Sequence, residues 1–413
     1  MLDIMFMTLF FAVLKDWILI LNFLMVMFVL NLLKISDGGE SLIKFVFILL
    51  SIWLIAMMFM SVNEKEHSFY LKSIFLFVLM SLEISFFSYK LIFFYIGFEM
   101  SVIPVLLIIL GWGYQPDRLE AGMYMLMYTV FFSLPLLVGI FYFKFFINFK
   151  FLTIFIFIMA FLVKLPMFGM HLWLPRAHVE APVYGSMILA GVMLKLGGYG
   201  IVKISFLLGD YLFYYCKKLI VFSIVGGLIL SLLCFMQSDM KMLVAYSSIV
   251  HMSLILSGLL TFKEIGLTGS VIMMIGHGLC SSGLFMLVGF TFNRTHTRSI
   301  FLNKGLISFM PLGSFWWFLF CSSNLSFPPC LNLGGELFLF FSLLSWSKSL
   351  FFILALLGMF SSLYSIFLFS FTQHGMSLNY YSYNNFSVCE SLSLLLHWFP
   401  LNILMLDLSL MSF

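Results

Sequence analysis

Charge is what this sequence has least of. Asp, Glu, Lys and Arg make up 9% of its 413 residues, against about a quarter in an ordinary soluble domain. So few charges cannot cover a water-facing surface of this size, which excludes a soluble globule and leaves a polytopic integral membrane protein. The net charge of +4 is too small and too scattered for a nucleic-acid partner. Cysteine is sparse as well: Cys216, Cys234, Cys280, Cys321, Cys330 and Cys389 never approach Cys-x-x-Cys spacing. With no cluster and no metal-ligand rhythm, they read as small apolar residues facing lipid or neighbouring helices, and no metal site is expected. Phosphate-binding motifs are missing too. No Gly-x-Gly-x-x-Gly follows a strand, no Walker loop occurs, and GGYG at 197–200 reads as close helix packing. No pair of histidines has the spacing and depth of a haem site. The chain is therefore expected to carry ions or protons without a cofactor of its own. Its driving energy must come from an ion gradient or a partner.

What is present is apolar. Hydrophobic residues account for 63% of the chain and the mean hydropathy is +1.14. The apolar runs continue for about 20 residues without alternating, which predicts an all-α transmembrane bundle and not a barrel. Phe occurs 54 times and Met 30 times, while Pro occurs 10 times. That bias follows T-rich codons and points to an organellar genome. The opening residues MLDIMFMTLFFAVLK lack a basic n-region, a small-residue cleavage site and an Arg-rich presequence. Such a start fits synthesis inside the organelle that the protein serves.

Breaks at charged residues, Gly and Pro divide the chain into spans near 17–33, 42–62, 70–87, 90–111, 121–147, 151–170, 185–208, 217–236, 240–262, 265–292, 305–346, 350–371 and 390–413. The first dozen residues are too short to span. Connections are short except at 112–120, 171–184, 293–304 and 372–389, so residues 1–413 are expected to form one membrane domain. Two spans are interrupted. FLVKLP puts Lys164 two residues before Pro166, and FPPCLNLGGE puts Pro328, Pro329, Gly334 and Gly335 ahead of Glu336. Such breaks free backbone groups that only a protein-lined or water-lined cavity can satisfy. Paired breaks in two halves point to an ion pathway with inverted repeats. The repeats are placed at 70–208 and 217–371, and 372–413 is a C-terminal loop and helix with no assigned role.

Ionisable residues fall inside successive spans: Glu99, Lys164, Lys195, His251, His277 and Glu336. Each charge at the bilayer centre costs at least ~2.5–3.5 kcal/mol, so these groups must pair, face the bundle interior or sit on an ion path. A row of poised titratable groups can pass protons. Duller readings stand beside this one. Glu99 is then a structural partner of a lysine, Lys164 snorkels to an interface, each histidine holds a hydrogen bond across helices, and Glu336 serves as a helix N-cap partner. Lys15, Asp16, Lys217 and Lys218 read as loop anchors. His171, Arg176, His178 and Glu180 crowd the stretch after the first break.

Five stretches carry a family resemblance: GFEMSVIP with WGYQPDRLEAGMY (97–124), VKLPMFGMHLWLPRAHVEAPVYGSMILAGVMLKLGGYG (163–200), QSDMKMLVAYSSIVHMSL (237–254), IGHGLCSSGLFM with NRTHTRS (275–299), and PPCLNLGGE (328–336). In these motifs the chain resembles the antiporter-like membrane subunits of mitochondrial NADH:ubiquinone oxidoreductase, respiratory complex I. The resemblance implies about 13–14 helices in two inverted five-helix repeats, each with a broken helix. It implies that Glu99 and Lys164 form the first carboxylate–lysine couple, that Lys195 connects through buried water and histidine to Glu336 as the exit-side group, and that His251 and His277 match histidines on this central hydrophilic axis. It further implies proton translocation driven by quinone reduction elsewhere in the complex, with NADH, FMN, iron–sulfur clusters and ubiquinone bound by other subunits. The partners implied are other membrane-arm subunits, including neighbouring antiporter-like ones, within the lipid bilayer of the mitochondrial inner membrane. Two departures stand out: the short N-terminus, from which the family's first helix is expected to be missing, and 372–413, which matches in hydropathy alone. A freestanding cation/proton antiporter, exchanging Na⁺ without NADH, is the alternative. A structural spacer is disfavoured, because it would have no use for buried Glu and Lys.

Overall fold

The computed structural model describes residues 16–33, 41–63, 66–142, 150–208, 210–376 and 384–408, with single positions at 8, 11 and 14. Every named element among them is helical, and the one β-bridge pairs Asp239 with Ser299. Lipid dictates this outcome, since a helix satisfies its backbone internally. Among the described residues ten helices are long and apolar enough to cross a membrane, and Trp17–Leu33, Phe155–Lys164 and Leu331–Trp346 are shorter apolar ones. The chain runs α1 (Trp17–Leu33), α2 (Ser41–Ser61), α3 (Phe69–Phe87), then α4 (Leu91–Met100) and α5 (Val102–Trp112) as one span, and α6 (Arg118–Phe141). There follow α7 (Lys150–Lys164), α8 (Trp173–Glu180), α9 (Val183–Ile188), α10 (Leu194–Leu208), α11 (Asp210–Cys234), α12 (Met240–Leu259) and α13 (Glu264–Thr295). The last elements are α14 (Leu306–Phe309), α15 (Pro311–Asn324), α16 (Leu331–Trp346), α17 (Phe351–Gln373) and α18 (Val388–Leu406).

The centre of the bundle is α13, whose membrane window is 100% buried, flanked by the α9–α10 span at 94% and α12 at 89%. By contrast, α6 is 28% buried and α18 22%, leaving most of their apolar surface for lipid or for neighbouring chains. Hydropathy alone does not distinguish these classes, because an apolar side chain suits both a core and a bilayer. The polar residues do: Lys195, His251 and His277 all stand on the three central spans.

The span at 305–346 is broken as expected, into the half-helices α15 and α16. Three local features depart from the span reading. The segment 171–184, expected to be a connection, contains α8. The span at 90–111 is interrupted at Ser101, between α4 and α5. The span at 185–208 includes a π-helical turn at Leu189–Met193. Of the short N-terminal segment only Thr8 and Phe11 are described, both buried, and Lys15 and 409–413 lie outside the described residues.

The C-terminal helix α18 is latched to the core. Ser387 and Glu390 form a capping box at its start. Arg294, in the last turn of α13, grips Glu390 with both arms of its guanidinium at 3.0 and 2.6 Å and donates from Nε to the Asn384 carbonyl at 2.8 Å. Charged forked bonds of this kind contribute about 1.5–3 kcal/mol when little exposed. Arg294→Gln is expected to speed amide hydrogen exchange over 388–406 by about tenfold or more, with α13 itself unchanged. Exchange measured by mass spectrometry checks this.

Candidate functional site

The site is assembled at two helix breaks. At the first, α7 ends on Lys164 and the chain turns before α8. Leu165 N still reaches Phe161 O at 2.7 Å, Met167 N reaches Leu162 O at 3.1 Å, and Trp173 donates its indole N–H to the Val163 carbonyl at 3.1 Å. Pro166 has no N–H to give, so the break is satisfied by a loosened turn and one side chain. Against it packs α10. A Cβ at Gly197 would meet Leu165 N at 2.8 Å and the Lys164 carbonyl carbon at 3.2 Å. The expectation that GGYG serves close packing is met here, and the lack of side chain at 197 brings the Lys195 helix onto the Lys164 break.

Lys164 is 3% exposed. Its ammonium donates to the Phe98 carbonyl at 2.7 Å and lies 3.2 Å from the centre of the Phe98 ring. Glu99 follows Phe98 in the chain, and its Oε1 is buried with no hydrogen-bond partner among the described residues. The two residues are neighbours, but no ion pair joins them within 4.0 Å among the described residues. The ammonium instead takes a backbone oxygen where the helix is already disturbed. Pro104 removes the donor that the Met100 carbonyl would have had, and the helix is interrupted at Ser101. Snorkelling does not describe Lys164, which points into protein.

The remaining four residues form one line. Lys195, fully buried, donates to the Ala190 carbonyl and stands 3.0 Å from His277 Nδ1. Ala190 lies in the π-helical turn, where the altered backbone spacing brings its oxygen to the amine. The His277 and His251 rings are 5.5 Å apart, centre to centre, at 50°. His251 Nδ1 is 3.5 Å from Glu336 Oε1, and its Nε2 is 3.2 Å from the Tyr364 hydroxyl. The cross-helix reading of His251 is thus also true of it, through a tyrosine. The N-cap reading of Glu336 fails, because α16 starts at Leu331 after Cys330 and has no acidic residue in its first turn. At this second break the Asn332 amide donates to the Ser323 carbonyl at 2.9 Å, tying the two half-helices together.

No hydrogen bond among the described residues bridges Lys164 to Lys195, so the six residues stand as a pair and a line of four. Each broken helix is fourth among five spans, counting from α3 in the first half and from α11 in the second.

Charged groups beyond those six are also buried, Glu83, Lys72 and Lys241 among them. Glu83 is 0% exposed and neither carboxylate oxygen has a hydrogen-bond partner among the described residues. Lys72, three helical turns earlier on the same face, donates to the Leu14 carbonyl. Lys241 donates to the Ala181 carbonyl at 2.8 Å. All three could have been found by the rule used for the others, but they sit closer to helix ends. Near Lys241, a cavity of about 400 Å³ opens at the loop face beside Asp117, Glu120, Glu180 and Asp239. In this cavity burial raises the Glu180 carboxyl above the usual carboxylate range, and the Arg298 guanidinium draws it back. Arg176 crosses the cavity mouth to Glu120. Among the described residues no group of three or more His, Cys, Asp and Glu could hold a metal ion.

A family described as "NADH:quinone oxidoreductase/Mrp antiporter, TM" matches residues 88–365, a stretch that includes all six candidate residues. The chain is 46% identical over 385 residues to NADH-ubiquinone oxidoreductase chain 4 of Ceratitis capitata, covering 89% of this chain and 86% of that one. With the chain 4 of Aedes aegypti it shares 50% over 326 residues, 76% of this chain and 73% of the other. In three dimensions it is similar to a chain of respiratory complex I from Thermus thermophilus with bound NADH. The TM-score is 0.87 at 20% identity, over 97% of this chain and 94% of that one. It is also similar to a chain of the Mrp complex from Dietzia sp., with a TM-score of 0.78 at 20% identity, over 88% of this chain and 42% of the other.

Proposed function

This chain belongs to the NADH:quinone oxidoreductase/Mrp antiporter family of membrane proteins, and from that premise we propose that it is the chain 4 type, proton-translocating membrane subunit of an NADH–ubiquinone oxidoreductase. Its place is in the mitochondrial inner membrane, beside other membrane-arm subunits that include further antiporter-like ones, and its gene is organellar. It binds no redox group. NADH, FMN, iron–sulfur clusters and ubiquinone belong to other subunits, and the energy of quinone reduction reaches this chain through protein contacts. Residues 70–208 and 217–371 act as two inverted repeats, each built around its broken helix.

The observation that carries this reading is the line Lys195–His277–His251–Glu336, buried as far as His251 and part-exposed at Glu336. An imidazole can accept a proton on one nitrogen and release one from the other. His277 Nδ1 lies against the Lys195 amine, and His251 Nδ1 lies against the Glu336 carboxylate. The 5.5 Å between the ring centres is short enough for one intermediary to relay a proton from ring to ring. Lys164 and Glu99 form the second titrating pair. The tight contact at Gly197 couples it to the line, because any movement at the Lys164 break is felt by the helix that bears Lys195.

The test uses the purified complex in sealed proteoliposomes without Na⁺, supplied with NADH and a ubiquinone. The expected result is NADH-driven proton uptake, lowered by about tenfold in an assembled Lys164→Gln variant. Normal uptake in that variant would refute the assignment of Lys164. Proton movement driven by a Na⁺ gradient and indifferent to NADH would establish the freestanding antiporter instead.

A further inference from the structure

Away from the titrating line, a groove of about 590 Å³ opens at one membrane face. Successive spans alternate in direction, so the starts of α2 and α4 and the ends of α3, α6 and α10 meet at this face. The walls are apolar, formed by residues such as Ile43, Ile140, Val202 and Phe206. Phe206 is 67% exposed, as a residue that faces acyl chains should be. The rim is cationic: Lys44, Lys90 and Lys203 line it, and among the described residues no acidic side chain does.

These lysines are placed, not scattered. The Lys203 ammonium donates to the Ser88 carbonyl and to the Ser88 hydroxyl, the latter at 3.1 Å, and lies 4.9 Å from the Phe94 ring. The Lys44 ammonium stands 4.2 Å over the ring of Tyr89, the residue next to Lys90. Among the described residues the contacts of the Lys44 and Lys203 ammoniums are with neutral groups, and the two amines line one groove, where like charges repel. Like charges gathered at a low-dielectric boundary destabilise the fold unless an anion is shared between them. Tyr89, at 84% exposure, sits where amphipathic rings mark the headgroup level.

We propose that this groove is a binding site for an anionic phospholipid, with the phosphate held by Lys44, Lys90 and Lys203 and an acyl chain laid along the apolar walls. The class follows from the two halves of the site. A basic rim between membrane helices selects an anionic headgroup, and the apolar walls below it offer nothing to a free phosphate ion. A zwitterionic lipid carries its own compensating cation and gains less from three lysines.

The experiment uses the complex containing this chain in phosphatidylcholine nanodiscs, doped with a photoactivatable phosphatidylglycerol whose label is on the acyl chain. Cross-linked peptides identified by mass spectrometry are expected to cover 88–92 and 199–207. The yield should exceed that of the same probe with a choline headgroup by about tenfold, and millimolar inorganic phosphate should not displace it. The double variant Lys44→Gln/Lys90→Gln should lose about tenfold in yield. Lys203 is left in place because it also anchors Ser88. Equal labelling by both headgroups, undiminished labelling of the double variant, displacement by inorganic phosphate, or labelling blocked by another protein chain cross-linked at these residues would each overturn the proposal.

Discussion

Lys195→Met is expected to remove most NADH-driven proton uptake while leaving the chain assembled and at least as stable. The two effects separate for a physical reason. A buried ammonium costs ~2.5–3.5 kcal/mol or more to place in the membrane, and methionine fills a similar length without that cost. What is lost is the amine 3.0 Å from His277 Nδ1 and the only titrating group on α10 in the line. A positioned proton donor or acceptor contributes about a hundredfold or more to a transfer step, so a drop of at least about tenfold in uptake per NADH oxidised is the expected measurement. Thermal unfolding of the same preparation should show no loss. If unfolding instead came earlier while pumping persisted, Lys195 would be a structural residue.

The second large effect is expected at Gly335, just before Glu336. A Cβ here would meet Met273 Cβ at 2.8 Å and the Met273 backbone N and Cα at 2.9 Å. Backbone cannot step aside as a flexible side chain can, so Gly335→Val must push α16 away from α13. Overpacking of this kind costs about 1–3 kcal/mol, and it lengthens the 3.5 Å approach of Glu336 to His251. Stability and pumping should fall together, in contrast to Lys195→Met. Gly111→Ala is the control: nothing lies within 4 Å of its built Cβ, and alanine favours a helix by about 1 kcal/mol, so that variant should match or slightly exceed the parent in stability. A Gly335→Val complex with unaltered melting and pumping would contradict the packing described for α16.

How far the sequence carries can be judged from these same residues. The all-helical membrane fold follows from apolar runs and scarce charge, and both breaks announce themselves at Pro166 and at Pro328–Pro329. The candidate residues were legible because an ionisable side chain among twenty apolar ones has few reasons to be there. What stays hidden is register. Nothing in GVMLKLGGYG reveals a π-helical turn, since that turn answers to how α9 and α10 settle against α13. Nor does a string of apolar letters tell which spans are central. The Glu99–Lys164 pair shows the same limit: residue types suggest an ion pair, whereas the fold offers Lys164 the Phe98 carbonyl instead. Glu83 is hard to single out from sequence, because a charge near the end of a span is what an interface residue looks like, and only the packing around it shows otherwise.

One feature of the central helices bears on which ions they admit. Ser247, Ser248, Ser253 and Ser257 of α12, and Ser281 and Ser282 of α13, are all buried, and each spends its hydroxyl hydrogen on a carbonyl of its own helix. A hydroxyl so engaged has only lone pairs left to offer. These oxygens therefore solvate a positive visitor and give a halide or hydroxide nothing to bond. Discrimination by sign is thus written into ordinary serines along the bundle's axis, before any lysine or glutamate changes its protonation.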